Sequence, residues 1–453
     1  MQIHFIAIGG SAMHNLAIAL HLKGFTVTGS DDEINEPSLS RLKKHGLLPS
    51  AIGWFPGSLN AETNAVILGM HARADNPELL RAQELGLKIY SYPEYLYEQS
   101  KDKKRVVIGG SHGKTTITAM VLHVLKKLGK NFDYMVGSQI EGFDTMVRLS
   151  HDAPVMILEG DEYLSSPIDR RPKFHLYKAD VALLSGIAWD HINVFPTFDD
   201  YLEQFRIFVR NIPSNGSLIY CTHDEEVKKV AALANPGVKK TGYGIPSYRI
   251  ENGTTFLIHP DSTETPVEIF GEHNLMNLEG ARHICAGLEV TEKEFYDSIS
   301  SFKGASKRLE LVMKKGTAAV YKDFAHSPSK LKATTDAVKL QYPASRLIAC
   351  MELHTFSSLN ENFLEQYRGS MEKADEAIIY YNPDTIVHKK LKPISAQQVK
   401  DAFGSDNVTV VTDSAFMKEL LLKKSYHHSV LLMMSSGNFD GIDFKKLAEE
   451  IEV

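Results

Sequence analysis

A buried strand followed by a glycine-containing turn and a helix begins both the first and the second third of this sequence. In the first copy, the apolar run of residues 3–8 leads into the turn 9–11 and an apolar-periodic helix. In the second, residues 106–108 precede another glycine turn, and strand-like and helical stretches alternate again from residue 318 to residue 433. Strands that alternate with helices form parallel sheets with crossover helices. The sequence therefore predicts an α/β protein.

The composition of the chain restricts its size class, compartment and partners. A length of 453 residues corresponds to roughly three domains of about 150 residues. The 50 basic and 56 acidic side chains give a net charge of −6. This charge does not indicate binding to nucleic acid or to an anionic membrane. The three cysteines are Cys221, Cys285 and Cys350, and their wide spacing fits a reducing compartment. With no apolar stretch of 18 residues, the sequence predicts a cytoplasmic globular protein.

Two polar, charged segments are candidate linkers between domains. Residues 99–105 are polar or charged throughout, and a new strand, loop and helix follow them. Residues 302–308 contain three basic side chains and a glycine, and strands alternate with helical stretches after them. We predict three α/β domains that span residues 1–102, 103–306 and 307–453.

The strongest local signal for chemistry is a glycine-containing loop between an apolar strand and a helix. Its residues are Gly110, Ser111, His112, Gly113, Lys114, Thr115 and Thr116. Backbone N–H groups of such a loop, together with the positive end of the helix, cradle phosphates. Lys114 would neutralise the β- and γ-phosphates, and the Thr115 hydroxyl would bind Mg²⁺. Although the first glycine stands three residues before Gly113 rather than five, the loop predicts a nucleotide-phosphate site.

The turn at Gly9 and Gly10 is a weaker signal. It fits the G-x-G-x-x-G pattern only if alanine replaces the first and third glycines, and it suits a dinucleotide, a nucleotide-sugar diphosphate or no ligand. Asp31, after the second strand, could bind a ribose hydroxyl. A nicotinamide-dependent oxidoreductase is thus one alternative, but it leaves Lys114 unexplained. A nucleotide-dependent regulatory protein without amide chemistry is another.

Acidic residues follow a second apolar strand in the central third. Residues 155–158 lead into Glu159, Gly160, Asp161 and Glu162. Because ligands bind at the carboxyl ends of parallel strands, these carboxylates are expected beside the phosphate loop. Carboxylate oxygens are ligands that Mg²⁺ prefers. The strand at residues 181–184 leads towards Asp190 and His191, for which a metal or phosphate role and a structural role remain open.

Taken together, these motifs resemble the Mur ligase family, ATP-dependent amide-forming enzymes of bacterial cell-wall synthesis. The resemblance covers essentially the whole chain and implies a UDP-binding Rossmann-like domain, a central ATPase domain and a C-terminal Rossmann-like domain. Seven segments carry it in order, at residues 9–13, 110–116, 159–162, 190–191, 271–277, 307–310 and 323–328.

The resemblance implies roles for residues around ATP and Mg²⁺. Lys114 would hold the phosphates, Thr115 and Glu159 would bind one Mg²⁺, and His191 would bind a second. The remaining members of the implied ATP site are Asn274 and Asn277 at the adenine, Arg308 near the γ-phosphate and Asp323 from the C-terminal domain. The candidate substrate residues are Gly9, Gly10, Ser11, Met13, Asp31, His71, His326 and His354, of which His354 rests on its position in the chain alone.

Within the family, the chain is most similar to members that act in cell-wall recycling. These join the lactyl carboxylate of UDP-N-acetylmuramate to the amine of L-alanyl-γ-D-glutamyl-meso-diaminopimelate. The features that point this way are Tyr163, an insertion at residues 169–174, the ending 435–441, and a segment 352–358 without paired arginines. Addition of L-alanine to UDP-N-acetylmuramate is the alternative reaction. A monomer or a homodimer is expected.

Overall fold

The computed structural model describes residues 1–70, 72–189, 194–251, 253–304 and 309–452. The chain divides into two compact units. The first comprises Met1–Gly244 and Asn277–Ser298, and the second comprises Ile245–Met276 and Ile299–Val453. Within the described ranges, no helix is both long and apolar enough to cross a membrane.

The N-terminal part of the first unit contains a four-stranded parallel sheet in the order β2-β1-β3-β4. Its strands are β1 (Gln2–Ile6), β2 (Thr26–Ser30), β3 (Ala65–Leu68) and β4 (Ile89–Ser91). Its helices are α1 (Ser11–Leu22), α2 (Ser38–Lys44), α3 (Pro77–Glu84) and α4 (Tyr92–Ser100), with a 3₁₀ turn at Pro56–Ser58. Asn76 caps α3, and a capping box between Ser91 and Glu94 begins α4, so side chains satisfy the first N–H groups of both helices.

A seven-stranded sheet forms the rest of the first unit, in the order β11-β10-β9-β5-β8-β6-β7. Its strands are β5 (Lys104–Gly109), β6 (Asp133–Met135), β7 (Val147–Arg148), β8 (Val155–Gly160), β9 (Val181–Leu184), β10 (Ser217–Cys221) and β11 (Lys239–Tyr243). Its helices are α5 (Lys114–Lys127), α6 (Lys173–Leu176), α7 (Phe198–Arg210) and α8 (Glu225–Ala231). Strand β5 is hydrogen-bonded in parallel between β8 and β9, which brings the carboxyl ends of all three strands to one edge.

A small sheet that the sequence analysis did not predict begins the second unit. The antiparallel strands β12 (Tyr248–Glu251), β13 (Thr254–Ile258) and β14 (Glu264–Val267) form it. The sequence contains a usable signal, the pair Asn252–Gly253, which is typical of hairpin turns. The helices α9 (Glu272–Ala286) and α10 (Glu292–Ile299) follow along the chain, and their residues from Asn277 to Ser298 belong to the first unit.

The six-stranded sheet of the second unit has the order β15-β16-β20-β17-β18-β19. Its strands are β15 (Glu310–Lys315), β16 (Ala318–Asp323), β17 (Arg346–Glu352), β18 (Glu376–Tyr380), β19 (Val408–Val411) and β20 (Ser429–Met434). Its helices are α11 (Pro328–Gln341), α12 (Glu361–Leu364), α13 (Pro383–His388), α14 (Ala396–Phe403), α15 (Ser414–Leu422) and α16 (Phe444–Glu450), with a 3₁₀ turn at Glu365–Tyr367. Separate apolar cores cover its two faces, as expected for a sheet between helices.

The α/β class is confirmed, and antiparallel pairing is present at three places beside the parallel strands. Strand β7 pairs antiparallel with β6, β15 pairs antiparallel with β16, and the sheet β12–β14 is antiparallel throughout. Strands β7 and β15 lie at the edges of their sheets, and antiparallel neighbours can be connected without a crossover helix.

Candidate active site

The predicted phosphate loop connects β5 to α5 and depends on two glycines in the left-handed region. Gly110 has a φ of 131° and Gly113, which precedes the first residue of α5, has a φ of 80°. Residues with a side chain rarely adopt these φ angles, so glycine is required for the chain to turn here. Because the first N–H groups of a helix lack partners within it, the start of α5 offers donors for an anion.

Lys114 lies at the first position of α5 and is held between two oxygens. Its Nζ donates to the Gly110 carbonyl at 2.5 Å and to the Glu162 carboxylate at 2.6 Å. Burial alone would lower the pKa of Lys114, but the carboxylates of Glu162 and Asp161 outweigh burial and raise the pKa above its ordinary value. Lys114 is therefore a charged ammonium at neutral pH, at the place where the loop would receive phosphates.

Glu162 belongs to a buried network that sequence reasoning missed. Its carboxylate accepts the Tyr201 hydroxyl at 3.0 Å in addition to Lys114. The Tyr201 hydroxyl also lies 2.8 Å from the Ser111 hydroxyl, which in turn accepts the backbone N–H of Ala188 at 2.8 Å. The segments that follow β8 and β9 are thereby joined to helix α7 and the phosphate loop around the ammonium. No local pattern at Tyr201, which belongs to the helix α7, indicates this role.

Glu159, near the end of β8, is the carboxylate that fits the predicted Mg²⁺ site. It accepts the Thr115 hydroxyl at 2.7 Å and the backbone N–H of Gly137 at 2.8 Å. Burial raises the pKa of Glu159 above its ordinary value, although the two hydrogen bonds oppose this. A hydroxyl and a carboxylate in contact supply the hard oxygen ligands that Mg²⁺ prefers, and Mg²⁺ beside phosphates commonly uses only one or two carboxylates. The donor set therefore fits the metal, although the described residues contain no group of three His, Cys, Asp or Glu side chains around one point.

Asp161 is committed to a different cation. It accepts Lys173 Nζ at 2.6 Å. Burial acts to raise its pKa, but the charges of Lys173 and Lys114 outweigh burial and lower the pKa to about 2. Three neighbouring acidic side chains thus take three roles, with Glu159 at Thr115, Asp161 at Lys173 and Glu162 at Lys114.

The remaining residues of the predicted ATP site occupy a mixture of positions. A side chain at Gly113 would collide with the Asn277 amide, so Asn277 packs against the phosphate loop. Asn274, one turn earlier in α9, donates to the Phe270 carbonyl at 3.0 Å. The His112 carbonyl accepts the Ser185 hydroxyl, and Thr116 is buried in α5. Asn277 is thus beside the loop, whereas the Asn274 amide nitrogen donates to a carbonyl just before the start of its own helix.

The predicted sugar-nucleotide turn is closed by Asp31. Its carboxylate accepts the backbone N–H of Gly9 at 2.7 Å. Burial raises the pKa of Asp31, against the effect of the Gly9 hydrogen bond. Ser11 begins α1, and Met13 is buried within it. One Asp31 oxygen therefore fixes the shape of the turn, a role that the expected ribose contact did not include.

The C-terminal candidates lie at the carboxyl ends of β16 and β17. Asp323, the last residue of β16, accepts the backbone N–H groups of Leu309 and Ala325 at 2.5 and 2.7 Å. His326 donates from Nδ1 to the Phe324 carbonyl at 2.8 Å. His354 Nδ1 lies 3.6 Å from the buried carboxylate of Glu352, the last residue of β17. Asp323 therefore organises the backbone around it, and the ligand contacts expected of Asp323, His326 and His354 stay predictions.

Three predicted site residues lie outside the described part of the chain: His71, His191 and Arg308. Their roles in substrate binding, metal binding and phosphate binding stay predictions.

We expect Asp323→Ala to lower the free energy of unfolding of the second unit by about 3 kcal/mol, because hydrogen bonds to a charged group contribute about 1.5–3 kcal/mol each. Two buried backbone N–H groups would lose their acceptor. Asp323→Asn retains one acceptor oxygen and should lie between wild type and alanine. Urea unfolding of the three proteins measures the series, and equal midpoints would show that Asp323 does not hold the backbone.

Comparison with known proteins agrees with this architecture over nearly the full length. Residues 2–104 match the Mur ligase family catalytic domain, residues 108–285 the Mur ligase middle domain and residues 307–437 the Mur ligase glutamate ligase domain. UDP-N-acetylmuramate–L-alanine ligase of Persephonella marina is 30% identical over 96% of this chain and 94% of its own. UDP-N-acetylmuramate–L-alanyl-γ-D-glutamyl-meso-2,6-diaminoheptandioate ligase of Haemophilus influenzae is 26% identical over 98% of both chains.

Solved structures share the fold. UDP-N-acetylmuramate–alanine ligase of Thermotoga maritima aligns with a TM-score of 0.69 at 20% identity, over 97% of this chain and 96% of its own. A murein peptide ligase of Psychrobacter arcticus aligns with a TM-score of 0.64 at 22% identity, over 99% and 98%.

The phosphate loop, the acidic strand end and the three matched domains define an ATP-dependent ligase that forms a carbon–nitrogen bond. The chain belongs to the Mur ligase family, whose members act in peptidoglycan synthesis.

Proposed function

We propose that this enzyme joins the lactyl carboxylate of UDP-N-acetylmuramate to the amine of L-alanyl-γ-D-glutamyl-meso-diaminopimelate. Its three domains would bind the UDP-sugar (residues 1–102), ATP (103–306) and the amine substrate (307–453). The reaction belongs to the recycling of cell-wall peptides in a reducing cytoplasm, where the three buried cysteines remain thiols.

Amide formation from a carboxylate and an amine is uphill in water, so the carboxylate is first activated. A lactyl oxygen attacks the γ-phosphorus of ATP, the bond to the β-phosphate oxygen breaks, and an acyl phosphate and ADP form. The amine nitrogen then attacks the acyl carbon, phosphate leaves, and the nitrogen loses a proton. Both reactants of the first step are anions, so neutralising charge is the main requirement for catalysis.

The residues of the phosphate loop meet that requirement. Lys114 places a permanent ammonium where the transferred phosphate would lie, and Glu162 and the Gly110 carbonyl hold it there. Thr115 and Glu159 would hold Mg²⁺, which when bound supplies further positive charge beside the phosphates. His191 and Arg308 are expected to complete the site.

Support for the UDP-sugar comes from the Gly9–Ser11 turn. Asp31 closes this turn against Gly9, and the positive end of α1 begins directly behind it, an arrangement suited to a pyrophosphate. The relatives from P. marina and H. influenzae both carry UDP-N-acetylmuramate in their names.

The observation that favours a tripeptide is the closed loop of residues 161–174. It begins at Asp161 beside the phosphate site and returns there, because the Phe174 N–H donates to the Asp161 carbonyl at 3.2 Å and Lys173 pairs with the Asp161 carboxylate. At its tip Arg170 is exposed, and Arg171 forks onto Asp169. A loop anchored at the reacting phosphate with basic side chains at its tip suits an amine substrate that carries several carboxylates.

Release of phosphate from ATP and Mg²⁺ in the presence of UDP-N-acetylmuramate tests the substrate. We expect turnover with L-alanyl-γ-D-glutamyl-meso-diaminopimelate and a rate with L-alanine at least about 100-fold lower, because L-alanine lacks the additional carboxylates that would bind the loop. Parallel assays with each amine alone and with none give the background. Turnover with L-alanine only would contradict the proposal.

That outcome would instead identify the enzyme as a UDP-N-acetylmuramate–L-alanine ligase, the second candidate. The observation that favours it is the name of the P. marina relative at 30% identity. It would leave the loop 161–174 without a role in choosing the amine.

A further inference from the structure

Two buried polar side chains on α1 have no role in the reaction outlined above. Asn15 and His14 are 0% and 1% exposed, on a helix whose other buried side chains are apolar. Buried polar groups cost free energy unless they are hydrogen-bonded. Their partners therefore indicate why the chain retains them.

These partners lie on both sides of α1. The His14 Nδ1 donates to the Gly10 carbonyl at 2.9 Å, within the proposed sugar-nucleotide turn. The Asn15 amide donates to the Ser11 carbonyl at 2.8 Å and to His14 Nε2 at 2.9 Å. Burial lowers the pKa of His14, which keeps the ring neutral with Nε2 as the acceptor. The Asn15 amide oxygen, in turn, accepts the backbone N–H of Met146 at 2.9 Å. Met146 directly precedes β7 of the seven-stranded sheet.

Arg41 of α2 makes a second connection to the same place. Its guanidinium donates to the Gln139 side-chain oxygen at 2.7 Å and lies 3.4 Å from the Asn15 amide oxygen. The Gln139 amide donates to the Phe143 carbonyl. The segment 137–146, between β6 and β7, is therefore held at Gln139 by Arg41 and at Met146 by Asn15.

The same segment reaches the candidate metal carboxylate. Its first residue, Gly137, donates its N–H to Glu159 at 2.8 Å, and Glu159 accepts Thr115 of the phosphate loop. A side chain at Gly137 would collide with Glu159, so the two are in close contact. Hydrogen bonds together with the backbone of the segment 137–146 thus connect the Gly10 turn, through Asn15 or Arg41, to Glu159.

We propose that Asn15 and Arg41 are positioning residues that couple the two nucleotide sites. A nucleotide-sugar diphosphate at the Gly9–Ser11 turn restrains the start of α1. The hydrogen bonds of Asn15 and Arg41 then restrain the segment 137–146 as well. The segment then holds Glu159 in place for Mg²⁺ and ATP. UDP-N-acetylmuramate and MgATP consequently bind with positive cooperativity, and by linkage each tightens the other equally. The identity of the sugar nucleotide rests on the proposed function.

Titration calorimetry measures this coupling without turnover. The probes are UDP-N-acetylmuramate and a non-hydrolysable ATP analogue with Mg²⁺, each titrated into the full chain with and without the other. We expect wild type to bind either ligand about tenfold more tightly when the other is present, within the usual range of allosteric coupling. Arg41→Met should reduce this factor to about twofold or less, and Gln139→Ala should do the same.

Matched variants separate coupling from general damage to the fold. Arg81→Met removes a guanidinium of α3 that pairs with Glu84, and it should keep the full tenfold factor. Because Arg41 and Gln139 act through one contact, the double variant should show no further loss beyond either single variant. Equal melting temperatures of Arg41→Met and Arg81→Met would show that the fold is retained.

Three outcomes would overturn the coupling. Both ligands binding to wild type independently would do so while the proposed function stands. An undiminished factor in both Arg41→Met and Gln139→Ala would show that the coupling takes another route. Absence of UDP-N-acetylmuramate binding to wild type, with normal binding of the ATP analogue, would overturn the proposed substrate together with the coupling.

Discussion

Lys114→Ala is expected to lower turnover by about 100- to 1,000-fold, because removal of one preorganised electrostatic contact to a developing charge typically has an effect of this size. The ammonium lies 2.6 Å from Glu162, and its pKa stays raised in the folded protein. Without it, the phosphate loop would face an incoming lactyl carboxylate with less neutralising charge. Phosphate release under saturating substrates measures the effect.

Lys114→Ala can also lose activity because the fold is destabilised, and a double variant distinguishes this cause from a loss of catalysis. Glu162 is 1% exposed at its side chain, and leaving a buried charge without its partner destabilises proteins by about 3–5 kcal/mol. Lys114→Met combined with Glu162→Gln removes both charges and should regain most of that stability while turnover stays at the level of Lys114→Ala. Recovery of turnover in the double variant would show that Lys114 acts only through the fold.

The phosphate loop was predictable from sequence because its determinants are local. Gly110, Gly113 and Lys114 lie within five residues, and their angles and helix position follow from backbone sterics and the missing donors of a helix start. The order of strands and helices around them follows from hydrophobic periodicity in the same way.

The partners of the charged groups were not predictable, because they are set by packing between distant segments. Sequence shows Glu159, Asp161 and Glu162 side by side, but which of them meets Lys114 depends on the ends of β5 and β8 and on Tyr201 of α7. Asp31 and Asp323 were expected to face ligands, and they also accept backbone N–H groups of nearby turns. A carboxylate that can do both gives the same sequence signal.

The domain limits and the edge strands could not be derived from the sequence because their local signals are ambiguous or too short. Boundaries at residues 102 and 306 rest on charge and polarity, which solvated helix ends also show, and they stay predictions. Short antiparallel strands such as β7 (Val147–Arg148) carry too few residues for a period-2 pattern to stand out. Only their pairing partner in space identifies them.

Glu159→Gln is expected to lower turnover and to raise the melting temperature of the ligand-free protein. The glutamine oxygen can accept the Gly137 N–H, and its amide can donate to Thr115, so both contacts of Glu159 persist without a negative charge. Turnover should fall by about 100-fold or more, since a charged contact at the transferring phosphate is lost. The ligand-free protein should nevertheless melt about 2–4 °C higher at neutral pH, the shift that about 1 kcal/mol produces in a domain of this size.

The pKa of Glu159 determines how the difference in melting temperature between wild type and Glu159→Gln changes with pH. Burial raises the pKa of Glu159 in the folded protein above the ordinary value of 4.5, so the ionised carboxylate destabilises the fold above the raised pKa. Acidification relieves this cost as the pH falls through the raised pKa, and below 4.5 the cost is gone. The advantage of Glu159→Gln in melting temperature should therefore be largest at neutral pH and vanish towards pH 4.5.

Asp161 does not obscure this window. Its pKa of about 2 lies below its ordinary value of 3.8, so its stabilising effect is complete above 3.8 and is lost only as the pH falls towards 2. Thermal melts of wild type and Glu159→Gln between pH 4.5 and 8 thus report on Glu159. A variant that melts lower than wild type at neutral pH would show that the charge of Glu159 stabilises the ligand-free fold, and the carboxylate would then be a structural group rather than one held ready for a cation.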